Sequence, residues 1–206
     1  MSQQSSNTRN LRIGPCPYNE NITCDNPEPV NNTNTTSTPY VVNKNSSAYL
    51  SGYNDAISYT NGACPSNTTS AQNDCSVGYV DGISKFNDPT FQQSADYVKG
   101  MLAAHNRERA AVGAPPLVWN NNLAAGAKAW AEHLSPAGQL VHDYGNVQGE
   151  NIADNSAYGP REWINEKPGG HYAVMVDPSF TSVGCGFVSS PHDIVVCRYS
   201  TGTVNP

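Results

Sequence analysis

The sequence predicts an α/β (α+β) sandwich over residues 88–206. Three observations predict it. Two stretches carry apolar residues three and four apart, two later stretches alternate apolar and polar residues around a short turn, and each alternating stretch contains one cysteine. Helices followed by antiparallel strands bury their apolar faces most simply as stacked layers.

Asp88-Pro89 has the form of an N-cap followed by proline at the first helical position, which predicts a helix from there to about residue 111. Phe91, Ala95, Val98, Leu102 and Asn106 form its stripe, and Gly113 ends it. Pro115-Pro116-Leu117-Val118-Trp119 reads as an extended link. Asn121 and Asn122 open a second helix with Leu123, Ala127, Trp130, Ala131 and Leu134 on one face, and Pro136 ends it. Its many alanines allow another layer to approach closely. Residues 170–176 read as a strand, with a short helix as the alternative. Residues 183–188 and 194–199 form a hairpin around Ser190-Pro191-His192-Asp193. Cys185 and Cys197 would bridge its strands.

The N-terminal half differs. Residues 1–46 read as an irregular polar segment, broken by Pro15, Pro17, Pro27, Pro29 and Pro39. Residues 47–87 hold a weak repeat: Gly52-Tyr53-Asn54-Asp55-Ala56-Ile57-Ser58 matches Gly78-Tyr79-Val80-Asp81-Gly82-Ile83-Ser84 at an offset of 26. Each copy places Tyr and Ile on one helical face, which predicts a helical hairpin closed by Cys64 and Cys75. Two short helices bury little alone, so the hairpin is expected to dock on the C-terminal domain or on another chain. The expected organisation is therefore 1–46, 47–87 and 88–206.

Cysteine and asparagine usage points outside the cell. The 6 cysteines fall in the close pairs Cys16/Cys24, Cys64/Cys75 and Cys185/Cys197. Three local disulfides in an oxidising compartment are the simplest reading, although other pairings remain open. Sequons occur at Asn21, Asn31, Asn34, Asn45 and Asn67, and none occurs in 96–206. The opening MSQQSSNTRN has no apolar stretch of the signal-peptide kind, so an extracellular location implies a processed N-terminus. Charged residues make up 14% and the net charge is −6, with no basic patch for nucleic acid and no polybasic run for a membrane surface. No stretch is long and apolar enough to span a bilayer.

Five short motifs then share one order and spacing: His105-Asn106-Arg107-Glu108-Arg109 with Pro116-Leu117-Val118-Trp119; Gly149-Glu150-Asn151-Ile152; Gly170-His171-Tyr172; Val183-Gly184-Cys185-Gly186; and Val195-Val196-Cys197-Arg198-Tyr199. Together they resemble the CAP superfamily (cysteine-rich secretory proteins, antigen five and pathogenesis-related protein one; the SCP-like domain). The resemblance covers 88–206 and leaves 1–87 uncovered. It implies a three-layer α-β-α sandwich, secretion and a Cys185–Cys197 disulfide. It also implies a cleft holding two histidines and two glutamates, carried by motif onto His142, Glu150, Glu166 and His171. Only four residues separate Glu166 from His171, and Ala173-Val174 and Asp177 replace the family's usual residues, which implies a shallower, more open cleft.

The chemistry of these four residues stands on its own. A neutral imidazole is a metal ligand, and a neighbouring carboxylate fixes its tautomer. His142 and His171 with open positions suit a divalent ion such as Zn²⁺, and Glu150 or Glu166 beside a metal-bound water is a candidate general base. His105 reads as a packing histidine, His133 as solvated and His192 as a turn residue. The expected function is a secreted or cell-surface binding module for a lipid, a sterol or a protein. Its alternatives are a metal-dependent hydrolase and a structural or surface-assembly component that self-associates through residues 1–87.

Overall fold

The computed structural model describes residues 41–60, 64, 69–145 and 148–202. The described residues from 42 onward form one compact unit, which includes the helical hairpin. Its elements are α1 (Ser47–Ile57), α2 (Thr69–Ser84), α3 (Ala95–Ala111), β1 (Val118–Trp119), α4 (Asn121–Leu134), β2 (Gly149–Asp154), α5 (Gly159–Asn165), α6 (Gly170–Val176), β3 (Ser182–Val188) and β4 (Ile194–Ser200).

The four strands form one sheet in the order β1-β3-β4-β2. β3 and β4 are the expected antiparallel hairpin, with Cys185 opposite Cys197. β2 runs antiparallel to β4 at one edge, with Glu150 opposite Arg198 and Asn151 opposite Cys197. The short β1 lies parallel to β3 at the other edge.

Strand alternation sends side chains to two helical layers. On one side, Ile152, Val196 and Ile194 pack with Ala127, Ala131 and Leu134 of α4. Gly184 and Gly186 let that helix lie directly on the sheet: a Cβ at Gly186 would stand 2.6 Å from the backbone nitrogen of Lys128. On the other side, Val183, Cys185, Phe187, Val195, Cys197 and Tyr199 face Met101 and Ala104 of α3, Trp163 of α5 and Met175 of α6. The α-β-α layering is that of the expected sandwich.

The hairpin docks on the second of these layers. Gly52 and Gly78, the opening residues of the two repeat copies, sit where the partner helix passes. A Cβ at Gly52 would overlap the carbonyl of Cys75, and one at Gly78 would overlap that of Tyr49. The repeat therefore encodes a reciprocal helix crossing as well as a Tyr/Ile face. Beyond α1, the buried Tyr59 hydroxyl donates to the Ser156 carbonyl at 3.0 Å, and Arg161 Nη2 donates to the Thr60 carbonyl at 3.0 Å. Cys64 and Cys75 are disulfide-bonded, with Cys75 inside α2 rather than at the loop end. The Cys16–Cys24 expectation and the sequons at Asn21, Asn31, Asn34 and Asn67 lie outside the described residues, while Asn45 is exposed.

Two expectations are corrected. The helix expected from Asp88 starts only at Ala95, capped by the Ser94 hydroxyl accepting from Tyr97 N at 3.1 Å. Asp88 instead accepts from the backbone and hydroxyl of Thr90 and leads into a short 3-10 turn at Phe91–Gln93. The buried face of α3 is accordingly Tyr97, Gly100, Met101, Ala104, His105 and Glu108, not the stripe through Ala95, Val98 and Leu102. Residues 170–176, read as a strand, are the helix α6. Tyr172 and Met175 are its buried residues, three apart as a helix requires.

Arg109 locks α3 to the chain beyond α6. It is fully buried and donates to the carbonyls of Pro115, Met175, Asp177 and Phe180 at 2.6, 3.1, 2.8 and 2.9 Å.

Candidate functional site

The four motif-derived residues form two histidine–carboxylate pairs flanking β2. Glu150 faces the α4 side of the sheet, its side chain 2% exposed. Its Oε1 accepts from His142 Nδ1 and from the backbone N–H of Asp143, each at 3.0 Å. Its Oε2 accepts from Arg198 Nε at 3.2 Å, and Arg198 Nη2 donates to Asp143 Oδ2 at 2.7 Å. Arg198 thus compensates two carboxylates where an uncompensated buried charge would be costly. His142 follows α4, its side chain 42% exposed and its ring 6.0 Å from that of Tyr144.

The second pair stands at the junction of α5 and α6. His171 Nδ1 is 2.8 Å from Glu166 Oε1, and its backbone N–H donates to Glu166 Oε2 at 2.6 Å. The short loop thus folds back on itself and brings Glu166 to His171. Gly170 makes this possible: its φ is +55°, and a Cβ there would occupy the place of the Glu166 carboxylate. Burial pushes the Glu166 carboxyl up, but the hydrogen bonds from the His171 ring and backbone outweigh it and hold the carboxyl below its usual value. The His171 ring stacks on the buried Trp163 at 6.0 Å between centroids.

Behind His171 runs a buried chain of hydrogen bonds. Asn151 Nδ2 donates to the His171 carbonyl at 2.9 Å and to the Tyr199 hydroxyl at 3.2 Å. Tyr199 is 2.9 Å from His105 Nε2, and His105 Nδ1 is 2.8 Å from the Met101 carbonyl. Burial raises the Tyr199 pKa, against smaller lowering by Asn151 and Arg109.

Each pair is formed, but among the described residues no hydrogen bond joins one pair to the other. Nor do three of these four residues gather their ligand atoms within 4.8 Å; the one group that does is His105, Cys185 and Cys197. There both sulfurs are committed to the Cys185–Cys197 disulfide. Asp143, Arg198, Asn151 and Tyr199 were not singled out from the sequence as site residues. The hairpin register carries a signal for two of them: with Cys185 opposite Cys197, the alternation sends Arg198 and Tyr199 to opposite faces. Elsewhere, His105 is the buried packing residue expected, His133 stacks on Trp130, and His192 Nδ1 contacts the Ser135 carbonyl at 2.7 Å.

The profile of the cysteine-rich secretory protein family, CAP, matches residues 102–199. Pathogenesis-related protein 1C of Nicotiana tabacum is 35% identical over 120 residues, covering 48% of this chain and 71% of that protein. The chain belongs to the CAP family. Other relatives of this CAP chain include the fruiting body protein SC7 of Schizophyllum commune, 35% identical over 109 residues, which span 44% of this chain and 50% of that protein. Among solved structures, an extracellular SCP-domain protein of Bacillus anthracis aligns with 52% of this CAP chain and 43% of its own, at 20% identity and a TM-score of 0.41. No described helix of the CAP chain is long and apolar enough to cross a membrane.

Proposed function

We propose that this CAP protein is an extracellular binding module that takes up a divalent cation of the zinc class through His142 and His171. One observation carries the reading: each imidazole presents Nδ1 to a carboxylate, His142 to Glu150 and His171 to Glu166. A carboxylate only accepts, so each Nδ1 carries a proton, and in the neutral ring the lone pair is on Nε2. This is the arrangement in which a carboxylate orients a metal-binding histidine and raises its basicity. Side-chain exposures of 42% for His142 and 34% for His171 leave both rings open to an incoming ion. A bound cation would supply fixed positive charge and Lewis acidity toward an anionic or carbonyl group.

The organic ligand consistent with this site is amphipathic. Leu140, Val141 and Tyr144 flank His142 and are 49%, 48% and 89% exposed, an apolar rim beside a cation-binding head. A fatty acid, with its carboxylate on the cation and its chain on the rim, meets both requirements. In this reading the extracellular chain carries glycans on its N-terminal sequons. The oxidising compartment this reading needs is supported by the disulfides Cys64–Cys75 and Cys185–Cys197 among the described residues.

Isothermal titration of the full chain with Zn²⁺ tests the proposal. We expect one equivalent, with affinity falling at least about tenfold in either H142A or H171A. Zinc uptake that neither substitution weakens, or no uptake by the wild type, overturns it. Fatty-acid binding that requires the metal and weakens in Y144A supports the amphipathic assignment.

A further inference from the structure

His105 is a titratable ring wholly inside the core. It is 0% exposed, and its ring lies against the cysteine pair of the β3–β4 hairpin. A carbonyl oxygen accepts only, so the 2.8 Å contact with Met101 puts the imidazole proton on Nδ1 and leaves a lone pair on Nε2. Burial lowers the His105 pKa to about 4, with the Met101 bond opposing and Arg109 and Arg107 adding to the fall, so the ring is neutral at physiological pH. Cys185 and Cys197 face each other across the strands with Cα atoms 4.1 Å apart. Nε2 or Nδ1 of His105 and the two sulfurs all lie within 4.8 Å of one another.

We propose that in the reduced chain, before this disulfide forms, Cys185, Cys197 and His105 hold one zinc-class cation in the core. Three arguments lead there. Zn–S and Zn–N bonds of about 2.3 and 2.0 Å set ligand atoms about 3.5–3.8 Å apart once the sulfurs are reduced and separate, and the His105 nitrogen and both sulfurs already lie within 4.8 Å of one another. Two thiolates and a neutral imidazole cancel the charge of a dication, so the buried site carries no net charge. The Tyr199 hydroxyl, 2.9 Å from Nε2, offers an oxygen beside that nitrogen as a fourth donor.

The chemistry balances. Uptake of the dication by two thiols releases two protons. Oxidation then removes two electrons, one from each metal-held thiolate, and passes them to a disulfide-type oxidant that takes two protons from solvent and becomes two thiols; the Cys185–Cys197 bond forms and the cation leaves. The metal-held state keeps these two thiols together and apart from the other four cysteines while the chain is still reduced. The proposal is independent of cation binding at His142 and His171.

The test uses the full chain, reduced by a water-soluble phosphine that takes up oxygen from water as it converts disulfide to thiols, then refolded anaerobically with ¹¹³Cd²⁺. Cadmium–proton correlation spectra should connect one cadmium resonance to the Cβ protons of Cys185 and Cys197 and to ring protons of His105. A cadmium resonance coupled only to other cysteines, or no coupling to the His105 ring, overturns the proposal. A Co²⁺ titration gives a second reading. We expect H105Q, which keeps both thiols, to lower the affinity of this site at least about tenfold. Unchanged affinity in H105Q overturns the proposal equally.

Discussion

The side-chain amide of Asn151 holds the carbonyl of His171 at 2.9 Å, tying the first turn of α6 to the edge strand β2. The same nitrogen reaches Tyr199 at 3.2 Å, so both of its protons are used inside the core. Asn151 is 0% exposed, and no water can replace it without entering that core. Asn151→Ala is expected to destabilise the protein by about 2–3 kcal/mol, from two lost hydrogen bonds and an unpaired His171 carbonyl. Asn151→Asp should cost at least as much, because it replaces the donor by a buried carboxylate. Urea unfolding of the three proteins checks this, and a loss below about 0.5 kcal/mol in Asn151→Ala contradicts it.

The contact between α4 and the sheet depends on absent side chains. At Gly184 a Cβ would overlap the backbone of Ala124 and Asn120, and at Gly186 it would press on Lys128. Backbone cannot yield as a flexible side chain can, so overpacking here moves the whole helix. Gly184→Ala is expected to destabilise by at least about 2 kcal/mol and to shift the Trp130 environment on α4. Thermal unfolding and tryptophan fluorescence measure both, and a variant as stable as the wild type would refute the close-packing argument.

How much of this was legible in the sequence follows from the range of the forces involved. The hairpin, helix α4 and the helical pair α1–α2 rest on local periodicity and turn residues, and their existence was readable. The start of α3 was not, because Asp88-Pro89 and Ser94 are both acceptable caps by local chemistry. The choice falls to Phe86, Phe91 and Tyr97, whose rings meet edge-on with Phe91 5.2 Å from Phe86 and 5.7 Å from Tyr97. That cluster also includes Phe187, distant in sequence. Residues 170–176 read as a strand, with a short helix as the alternative, for a related reason: seven residues of mostly apolar character do not distinguish the two periods. The histidine–carboxylate pairs were named through motif resemblance, yet Arg198 and Asn151, which hold them, become visible only through strand register.

Arg109 shows the same dependence on tertiary context. Its guanidinium satisfies four carbonyls at the junction of α3 and the segment after α6, at distances from 2.6 to 3.1 Å. A planar fork reaches these acceptors together, whereas an ammonium group cannot. Arg109→Met is expected to cost more than about 4 kcal/mol by leaving buried carbonyls unpaired, and Arg109→Lys to recover only part of that loss. Chemical denaturation ranks the three; equal stability of Arg109→Lys and the wild type would show that charge rather than fork geometry matters.

His105 gives the fold a pH dependence whose sign is fixed by burial. In the unfolded chain its imidazole titrates near the ordinary 6.5, while in the folded protein burial lowers that value to about 4. Between those values the unfolded state binds a proton that the folded state refuses, so stability falls as pH drops from 6.5 toward 4 and this contribution levels off outside the window. The full separation corresponds to about 3 kcal/mol, of which about 2 kcal/mol is lost by pH 5. The lowered carboxylates Asp81, Glu108 and Glu166 start from ordinary values of 3.8, 4.5 and 4.5, so their contributions fade below this window, while the Glu162 carboxyl, raised by burial, is common to the wild type and H105Q and cancels in their difference. Urea unfolding of wild type and H105Q across that range isolates His105. The wild-type curve should drop by about 2 kcal/mol more than that of H105Q, and parallel curves would mean that the folded protein admits the proton after all.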